Sequence, residues 1–412
     1  MNVWYLCKYV SKPGNGYVGM RSFYLMKELS NSGFNIDLIT SSSSAFLDKT
    51  SNQKLDVISP SFTFHQIKGI KYGKASSFLR ILSWLEFELK FFFFKKSNFR
   101  KPDVIIVSSL SFLSILNGLF WRKIYSSKLI FEIRDIWPLT LVEEGGYSKL
   151  NPFIIFLTFL ERLGYNSSDL IIGTMPNLKS HVYEVTNKNT SKVICIPMGI
   201  PDTSEDLFFR ADYALESGNQ NFVIGYVGTI GTTNALETLF SALKKIDMTA
   251  MKIECHIVGD GPLLEEYKKK FSSMSNLKFL GHVDKKNVPD LMSTFDVVYF
   301  STFKSKVWDY GQSLNKIIDY MLSGKPILGS YSGFPTMINE AKCGWFIEAE
   351  NSDSLAKKII EISKIDKKNL ISLGSNGREW IKKNRSYSFM ANHLKQEILE
   401  LKIKGNNKHE KS

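Results

Sequence analysis

Residues 311–329, GQSLNKIIDYMLSGKPILG, combine a polar loop, an amphipathic helix and a short apolar strand. In this stretch Ser313 can cap the helix, which places Asn315 and Lys316 in its first turn. Backbone N–H groups and the helix dipole favour an anion at such a position, and Lys316 adds a full positive charge. The pattern therefore predicts a phosphate-binding site at the start of the helix.

Asp319 lies one helical turn beyond Lys316, so both side chains can reach the same ligand. A carboxylate in this place could bind the hydroxyl groups of a sugar. The alternative is that Asp319 only forms an ion pair with Lys316, and the sequence leaves both interpretations open.

Short apolar strands alternate with amphipathic helices on both sides of this stretch. The predicted strands form two series, 3–8, 36–40, 104–107, 129–133, 170–173 and 193–196, then 223–227, 252–258, 277–280, 296–300, 326–329 and 344–347. Such alternation is typical of parallel, doubly wound sheets. The predicted fold class is therefore α/β, with two Rossmann-like domains, 1–200 and 201–385, that face each other across a cleft. Residues 386–412 are predicted to form a terminal helix and a polar tail.

A glycine-rich loop after the first predicted strand is a candidate ligand-binding site. Ligands bind to open parallel sheets beyond the carboxyl ends of strands, and the loop over 13–19 lies at such an end. It contains Gly16 and precedes Arg21, which are the candidate ligand contacts. An ordinary strand–helix connection explains the same glycines almost equally well.

Two other loops follow strands in the same way. The loop that opens the second half carries Gly228, Thr229 and Gly231, whose backbone N–H groups and hydroxyl could hold a diphosphate. The segment FEIRDIWP places Arg134 and Asp135 at a strand end, where unpaired charges are costly to bury. We interpret this pair as functional; a mutual ion pair that holds the loop is the alternative.

The composition excludes several classes of protein. The chain has 412 residues, 43% hydrophobic and 23% charged, with a formal net charge of +13. This content excludes a disordered chain, and the length suits two or three domains. The cysteines number 4, lie far apart and form no C-x-x-C pair, which disfavours a disulfide framework or a zinc site and suits a reducing cytoplasm.

The positive charge is concentrated in the N-terminal half. Residues 1–200 contain 24 Lys and Arg against 14 Asp and Glu, and residues 68–101 contain nine basic and two acidic residues among many aromatic ones. This mixture suits an anionic membrane surface, and a buried helix with snorkelling lysines is the alternative. The predicted membrane contacts are Lys90, Phe92, Phe93, Lys95 and Lys96. Because no nucleic-acid-binding motif accompanies these cations, nucleic acid is not an expected partner.

Residues 104–121 form an uncharged stretch long enough for a transmembrane helix. The stretch begins with a β-branched run, VIIV, continues with a serine-rich turn and ends in a helical pattern. It therefore predicts a strand, a turn and a helix, and a protein that lies on a membrane without crossing it.

Three motifs together resemble family 4 glycosyltransferases. They are SLNKIIDYMLSGKP at 313–326, FEIRDIWP at 131–138 and GFPTMINEAKCG at 333–344. The resemblance implies a GT-B fold and metal-independent transfer of a sugar from a nucleotide donor with retention of configuration. Bacterial O-antigen and capsule enzymes, particularly N-acetyl-L-fucosamine transferases, are the most similar.

The resemblance also implies roles for individual donor-site residues. Many members have a Glu-x7-Glu motif whose second glutamate holds the donor ribose; Asp319 stands there, while Gly311 stands at the first position. Thr229 and Asn234 occupy positions where many members have an Arg and a Lys. Lys316 must therefore carry more of the diphosphate charge. The segment that ends at Val283 is similar to the one that reads the nucleotide base.

We therefore predict a retaining glycosyltransferase with Arg134, Asp135 and Lys316 as catalytic residues. Arg134 stands roughly where many members have a histidine, which leaves a histidine-based mechanism unsupported. Ser313 and Asn315 would supply further contacts to the departing UDP, and Gly16 and Arg21 would contact the acceptor.

The predicted reaction moves a sugar, such as N-acetyl-L-fucosamine, from a UDP-sugar to a polyprenyl-diphosphate-linked saccharide in O-antigen or capsule synthesis. The UDP-sugar is a substrate, and neither a cofactor nor a metal is expected. The protein is expected at the inner face of the bacterial cell membrane. Two alternatives remain open: a UDP-sugar epimerase of the same fold, and a non-catalytic membrane-docking protein.

Overall fold

The computed structural model describes residues 1–13, 20–43, 55–72, 78–188, 192–202, 221–246 and 252–409. The chain divides into two compact units. The first contains Met1–Pro197 together with Tyr387–Ser412, and the second contains Met198–Ser386. The C-terminal segment therefore belongs to the first unit.

The strands in chain order are β1 Asn2–Leu6, β2 Asn35–Ser41, β3 Leu55–Ser59, β4 Phe62–Ile67, β5 Val104–Ser108, β6 Lys128–Ile133, β7 Leu170–Gly173, β8 Lys192–Cys195, β9 Phe222–Val227, β10 Ile253–Val258, β11 Leu277–Gly281, β12 Val297–Ser301, β13 Ile327–Ser330 and β14 Gly344–Ile347.

The helices are α1 Met20–Asn31, α2 Phe78–Phe93, α3 Ser114–Tyr125, α4 Leu139–Glu143, α5 Pro152–Ser167, α6 Leu178–Thr186, α7 Glu237–Lys244, α8 Leu264–Lys270, α9 Val288–Ser293, α10 Asn315–Leu322, α11 Met337–Ala341, α12 Ser352–Ser363, α13 Lys367–Asn384 and α14 Tyr387–His409.

The sheet of the first unit has the order β3-β4-β2-β1-β5-β6-β7-β8. All pairs are parallel except β3 with β4. Because crossovers between parallel strands are right-handed, connections that run in opposite directions along the sheet place their helices on opposite faces. Helix α1 therefore lies on one face, where α14 packs against it, and α2, α3 and α5 lie on the other.

The sheet of the second unit has the order β11-β10-β9-β12-β13-β14 and is parallel throughout. Two apolar cores cover its faces. One contains side chains of α7, α8 and α12, and the other contains side chains of α9, α10, α11 and α13. The direction of the connections reverses between β9 and β12, which makes their carboxyl ends the topological switch point of this unit.

The α/β class and both predicted strand series are confirmed. Residues 104–121 form β5, a turn and most of α3, as predicted. Strands β3 and β4 were not predicted, because polar residues interrupt the apolar pattern of β4. The structure accommodates one of them through a buried contact of 2.7 Å between His65 Nε2 and Asp37 Oδ1 on the neighbouring strand β2.

Candidate functional site

The start of α10 lies at the carboxyl edge of the second sheet. This helix connects β12 to β13, so its N-terminus lies where β12 ends. Because β12 pairs with β9, the same helix end lies beside the end of β9. The stretch that predicted a phosphate site is therefore at the switch point of this unit, where open α/β sheets bind ligands.

Ser313 does not cap α10, contrary to the sequence-based prediction. The N-cap residue is Leu314, at φ −79° and ψ 118°, and its apolar side chain cannot accept a hydrogen bond. The N–H groups of Asn315 and Lys316 are consequently not satisfied by a capping side chain. A helix end in this condition favours an anion through its N–H groups and its dipole.

The ammonium group of Lys316 is held by neutral partners. Its Nζ donates to Tyr226 Oη at 3.1 Å and to Asn234 Oδ1, and it lies 4.8 Å from the centre of the Tyr226 ring. Both partners are tied to one carbonyl oxygen, that of Thr229, at 2.6 Å from Tyr226 Oη and 2.9 Å from Asn234 Nδ2. These contacts orient the lysine toward the loop after β9.

The charge of Lys316 is not neutralised by a neighbouring acid. Within the described ranges, Lys316 forms no ion pair with a carboxylate. Burial lowers the pKa of Lys316 to about 8, because the charged form loses contact with water. An ammonium group with neutral partners and a lowered pKa favours the binding of an anion, because the negative charge of the anion would raise the pKa again and stabilise the protonated form.

The carboxylate of Asp319 is half-buried one turn along α10. Burial raises its pKa, and the nearby charge of Lys285 opposes that rise. The part of the chain that the structure describes contains no ion pair between Asp319 and Lys316, which was the alternative interpretation of their spacing. Lys316 therefore does not neutralise the carboxylate of Asp319, and its ammonium group keeps one N–H donor beyond those that bind Tyr226 and Asn234.

The glycine loop after β9 packs tightly against the loop after β10. The N–H groups of Gly228 and Ile230 donate to the carbonyl oxygens of Val258 and Asp260, at 3.0 and 2.9 Å. Gly259 has φ +134°, and a Cβ there would lie 1.9 Å from the carbonyl oxygen of Gly228. The N–H group of Gly228, one of the predicted diphosphate donors in this loop, is thus engaged by the protein.

Other predicted donor residues lie at the same edge of the sheet. Thr229 is exposed and Gly231 is buried in the loop after β9. Val283 follows β11 and packs partly against the core beside α10. The end of β11 is joined to the loop after β10, since Gly259 N donates to Gly281 O at 2.8 Å. The structure therefore brings the predicted donor residues to one edge of one unit.

Sequence reasoning missed three residues of this site. Tyr226 contacts Lys316 directly, and the hydroxyl of Tyr320 binds both the N–H and the carbonyl of Val227, at 2.9 and 3.0 Å. Gln312 is buried, and among the described residues neither polar atom of its amide has a hydrogen-bond partner. The tyrosines lie in apolar patterns that indicate only core packing, so no local signal distinguished them.

In the first unit, Arg134 and Asp135 follow β6, as predicted. Arg134 N donates to Ser109 Oγ at 2.9 Å, and its Nη1 lies 3.3 Å from Ser22 Oγ. Burial alone would lower the pKa of Arg134, but the charge of Glu132 raises it. Asp135 is exposed to solvent. Desolvation by the surrounding protein nevertheless raises the pKa of its carboxyl group, and the charge of Arg134 opposes that rise.

Arg21 is buried and engaged by the protein. Its Nη1 lies 2.5 Å from Glu132 Oε1, its Nε donates to Pro197 O at 3.0 Å, and its Nη2 donates to Ile196 O. These contacts show a structural role that the sequence did not indicate. Gly16, the other predicted acceptor contact, lies outside the described residues.

The predicted membrane residues have different environments around the end of α2. Phe93 and Lys95 are exposed, and Lys90 forms an ion pair with Glu86 at 2.6 Å. Phe92 is half-buried. Lys96 turns back onto the helix, where its Nζ donates to the carbonyl oxygens of Phe91, of Phe92 at 3.4 Å and of Phe94 at 2.8 Å. Burial lowers the pKa of Lys96 to about 8.

The described residues contain neither a membrane-spanning helix nor a cluster of metal-ligating side chains. No helix there combines the length and apolarity needed to cross a membrane. No group of three or more His, Cys, Asp or Glu side chains there is placed to hold a metal ion.

Comparison with known proteins agrees with this architecture. Residues 221–364 match the family model described as glycosyl transferases group 1. No curated protein sequence matches the chain.

The solved structures that resemble the chain share its fold at low sequence identity. Sucrose-phosphate synthase from Thermosynechococcus elongatus has a TM-score of 0.70 at 16% identity, over 97% of this chain and 98% of that one. Anabaena HepE in complex with UDP has a TM-score of 0.66 at 14% identity, over 97% and 100%. The lipopolysaccharide outer core galactosyltransferase WaaB has a TM-score of 0.63 at 13% identity, over 97% of this chain and 99% of that one. The chain is therefore a glycosyltransferase with a GT-B fold, and its similarity to the group 1 glycosyltransferases covers residues 221–364.

Proposed function

We propose that this glycosyltransferase moves a sugar from a UDP-sugar to a lipid-linked saccharide, with retention of configuration. The observation that carries the donor part is Lys316, a cation at the open N-terminus of α10 with only neutral partners among the described residues. A diphosphate is the anion that this arrangement fits best. Structures of Anabaena HepE, which has the same fold, hold UDP and UDP-glucose.

The chemical need in such a reaction is stabilisation of the departing UDP. Preorganised charges and N–H groups aimed at the developing negative charge give the largest effect in reactions of this type. We assign this task to Lys316 and the N–H of Asn315, with Ser313 beside them. At pH 7 a group with a pKa of about 8 is about nine-tenths protonated, so the charge is present.

The remaining donor contacts follow from the same edge of the sheet. Asp319 would bind the ribose hydroxyls, since its carboxylate lies one turn from Lys316. The backbone near Val283 would contact the base. Thr229 is exposed in the loop after β9 and would contact the diphosphate, with Gly228 and Gly231 shaping that loop.

For the first unit we propose that Arg134 and Asp135 contact the acceptor or the transferred sugar. Their position after β6 supports this, because it is a carboxyl end of a parallel strand. The half-buried guanidinium of Arg134 is held near Ser22 and Ser109, which fixes its direction. In this mechanism the diphosphate charge is met by Lys316 and N–H groups, without a metal ion.

The acceptor and the donor sugar are the more specific parts of the proposal. We propose a polyprenyl-diphosphate-linked saccharide at the inner face of the bacterial membrane, in O-antigen or capsule synthesis. N-acetyl-L-fucosamine is the proposed donor sugar. The basic and aromatic composition of residues 68–101 supports the membrane location, and the motif at 313–326 supports the donor class.

The test begins with a panel of UDP-sugars. Thermal shift identifies the donor, and a transfer assay with a polyprenyl-diphosphate saccharide in detergent measures product. We expect Lys316→Ala to lower kcat by about 10²-fold or more. Lys325→Ala is the matched control, since Lys325 is also partly buried with a lowered pKa, but its Nζ donates to Ser293 O at 2.8 Å.

Each other result has a definite meaning. Formation of an epimer from the UDP-sugar without acceptor would support the epimerase instead. An unchanged rate in Lys316→Ala would refute the assigned role of this lysine. Absence of any transfer by the unmodified protein, with vesicle binding retained, would favour the non-catalytic docking protein.

A further inference from the structure

Helix α2 carries an exposed apolar stripe along its whole length. The stripe consists of Leu82, Leu85, Leu89 and Phe93, which recur every three or four residues and so lie on one side of the helix. Phe93 at its end is 78% exposed. The opposite side of α2 is buried against the sheet through residues such as Phe87 and Phe91.

Two neighbouring helices carry similar stripes. On α3 the exposed apolar residues are Leu116, Phe120 and Ile124, which are four residues apart. On α5 they are Ile155, Phe156 and Phe159. Phe159 is 60% exposed and Ile124 is 56% exposed, although both are large apolar side chains.

The three stripes belong to one continuous surface of the first unit. Helices α2, α3 and α5 lie on the same face of the sheet, with α3 packed against both others. The ring of Phe92 joins α2 to α3, at 4.7 Å from the ring of Phe120. Because neighbouring helices lie about 10 Å apart and α2 is about 24 Å long, the apolar area of this surface is far larger than that of scattered exposed residues. We call it the three-helix face.

The charges on these helices favour an anionic partner. Three basic side chains are exposed, Lys90, Lys123 and Arg162, and because Lys90 is paired with Glu86, the net positive charge comes from Lys123 and Arg162. The acidic residues are buried or paired: Glu88 and Glu161 are buried, and Glu86 pairs with Lys90. A second copy of this chain would bring like charges together. The interface of a bilayer that contains anionic lipid accepts both the apolar side chains and the cations.

We infer that the three-helix face docks on the surface of a bilayer that contains anionic lipid. This inference deepens the membrane part of the proposed function, since it names the surface that would hold the enzyme near a lipid-linked acceptor. It also changes the set of residues that were predicted from the sequence to contact the membrane. Lys96 is excluded because its ammonium group is bound to carbonyl oxygens and lies 4.3 Å from the centre of the Phe91 ring. Helices α3 and α5 are added.

Flotation with vesicles of phosphatidylglycerol and phosphatidylcholine tests the inference. The full chain is expected to bind vesicles rich in phosphatidylglycerol, more weakly at high salt. The double variant Phe120→Ser, Phe159→Ser is expected to lower the partition coefficient by about tenfold or more, because two apolar contacts are removed. Phe159→Trp should retain binding.

The matched control is Phe389→Ser on α14, which lies on the other face of the same sheet and is 55% exposed. Its binding should equal that of the unmodified chain. Equal binding by the double variant, or no binding by the unmodified chain, would overturn the inference. So would a loss of self-association in the double variant, measured by sedimentation, with no loss of vesicle binding.

Failure of the proposed transfer reaction gives a different result. Transfer by the unmodified chain is measured in detergent, where docking on vesicles is not required. No transfer there, with normal flotation, would refute the proposed function and leave the three-helix face in place.

Discussion

Buried or half-buried cations occur near strand ends in both units, but their partners differ. In the first unit Arg21 pairs with the buried carboxylate of Glu132, and Arg134 is influenced by the same charge. In the second unit Lys316 is held by the neutral side chains of Tyr226 and Asn234. The first arrangement neutralises charge within the protein. The second retains a positive charge that a ligand can use.

The pKa directions express the same difference. Burial alone would raise the pKa of Glu132, but the charges of Arg21 and Arg134 and a hydrogen bond of 2.6 Å from Tyr5 lower it. For Lys316, burial lowers the pKa to about 8. The fold therefore stabilises the charges of Glu132 and Arg134 in the first unit, whereas the charge of Lys316 is destabilised until an anion arrives.

The largest effect is expected from breaking the neutralised pair. Arg21→Met should leave Glu132 as an uncompensated buried charge and lower the free energy of unfolding by about 3–5 kcal/mol. Urea titration followed by circular dichroism measures this. The double variant Arg21→Met, Glu132→Gln should recover much of the loss. Lys192→Ala, which removes an exposed ion pair with Glu400, is expected to lower the free energy of unfolding by less than about 1 kcal/mol. A loss as small as this in Arg21→Met would contradict the contrast between the units.

The same pair predicts the pH dependence of stability. The folded pKa of Glu132 is lowered, so its stabilising contribution is complete above the ordinary glutamate pKa. The contribution is lost as the pH falls through the lowered folded value. In Glu132→Gln this part of the acid-induced loss should disappear, which unfolding titrations across the acidic range would show.

The retained charge of Lys316 predicts a different pH dependence, in ligand binding. Above a pKa of about 8 the free protein loses the ammonium charge, so UDP affinity should fall. We expect about a tenfold loss between pH 7 and pH 9, from the protonated fraction alone. Isothermal titration with UDP measures it. Lys316→Arg keeps its charge over this range and should flatten the profile.

Asn234→Ala tests the role of the neutral partners of Lys316. The substitution removes one acceptor from Lys316 and one hydrogen bond to the Thr229 carbonyl. Since a net hydrogen bond contributes about 1 kcal/mol, UDP affinity should fall by about fivefold. Titration with UDP shows whether the loss is uniform over pH, as a positioning role requires. A loss of the whole pH dependence would instead mean that Asn234 sets the lysine pKa.

The sequence predicted the fold well because its signals are local. Continuous apolar runs such as Val104–Ser108 identify buried parallel strands without any knowledge of their neighbours. The sequence did not predict strand β4, because the burial of this strand depends on β2 beside it and on the contact between His65 and Asp37. The helix that carries Lys316 and Asp319 was predicted from its polar loop and apolar periodicity.

The site was predicted less completely because contacts across the chain decide it. Tyr226 lies 90 residues before Lys316 in sequence, and its buried position gave no sign of that contact. Arg21 was a candidate ligand because its partner Glu132 is 111 residues away. Whether a cation is neutralised depends on such distant pairs, which is why the contrast between the two units required the structure.

The smallest effect concerns the open end of α10, which leaves N–H groups available in the second unit. If Ser313 capped this helix, Ser313→Ala would lower the free energy of unfolding by about 1 kcal/mol. Because Leu314 is the N-cap, we expect a change of less than about 0.5 kcal/mol. Thr336→Ala is the matched control, since Thr336 caps α11 in the same unit and accepts from Ile338 N at 3.1 Å. That control should lose about 1 kcal/mol. Equal losses in urea titrations of both variants would show that Ser313 closes the helix end and that the N–H groups are not reserved for a ligand.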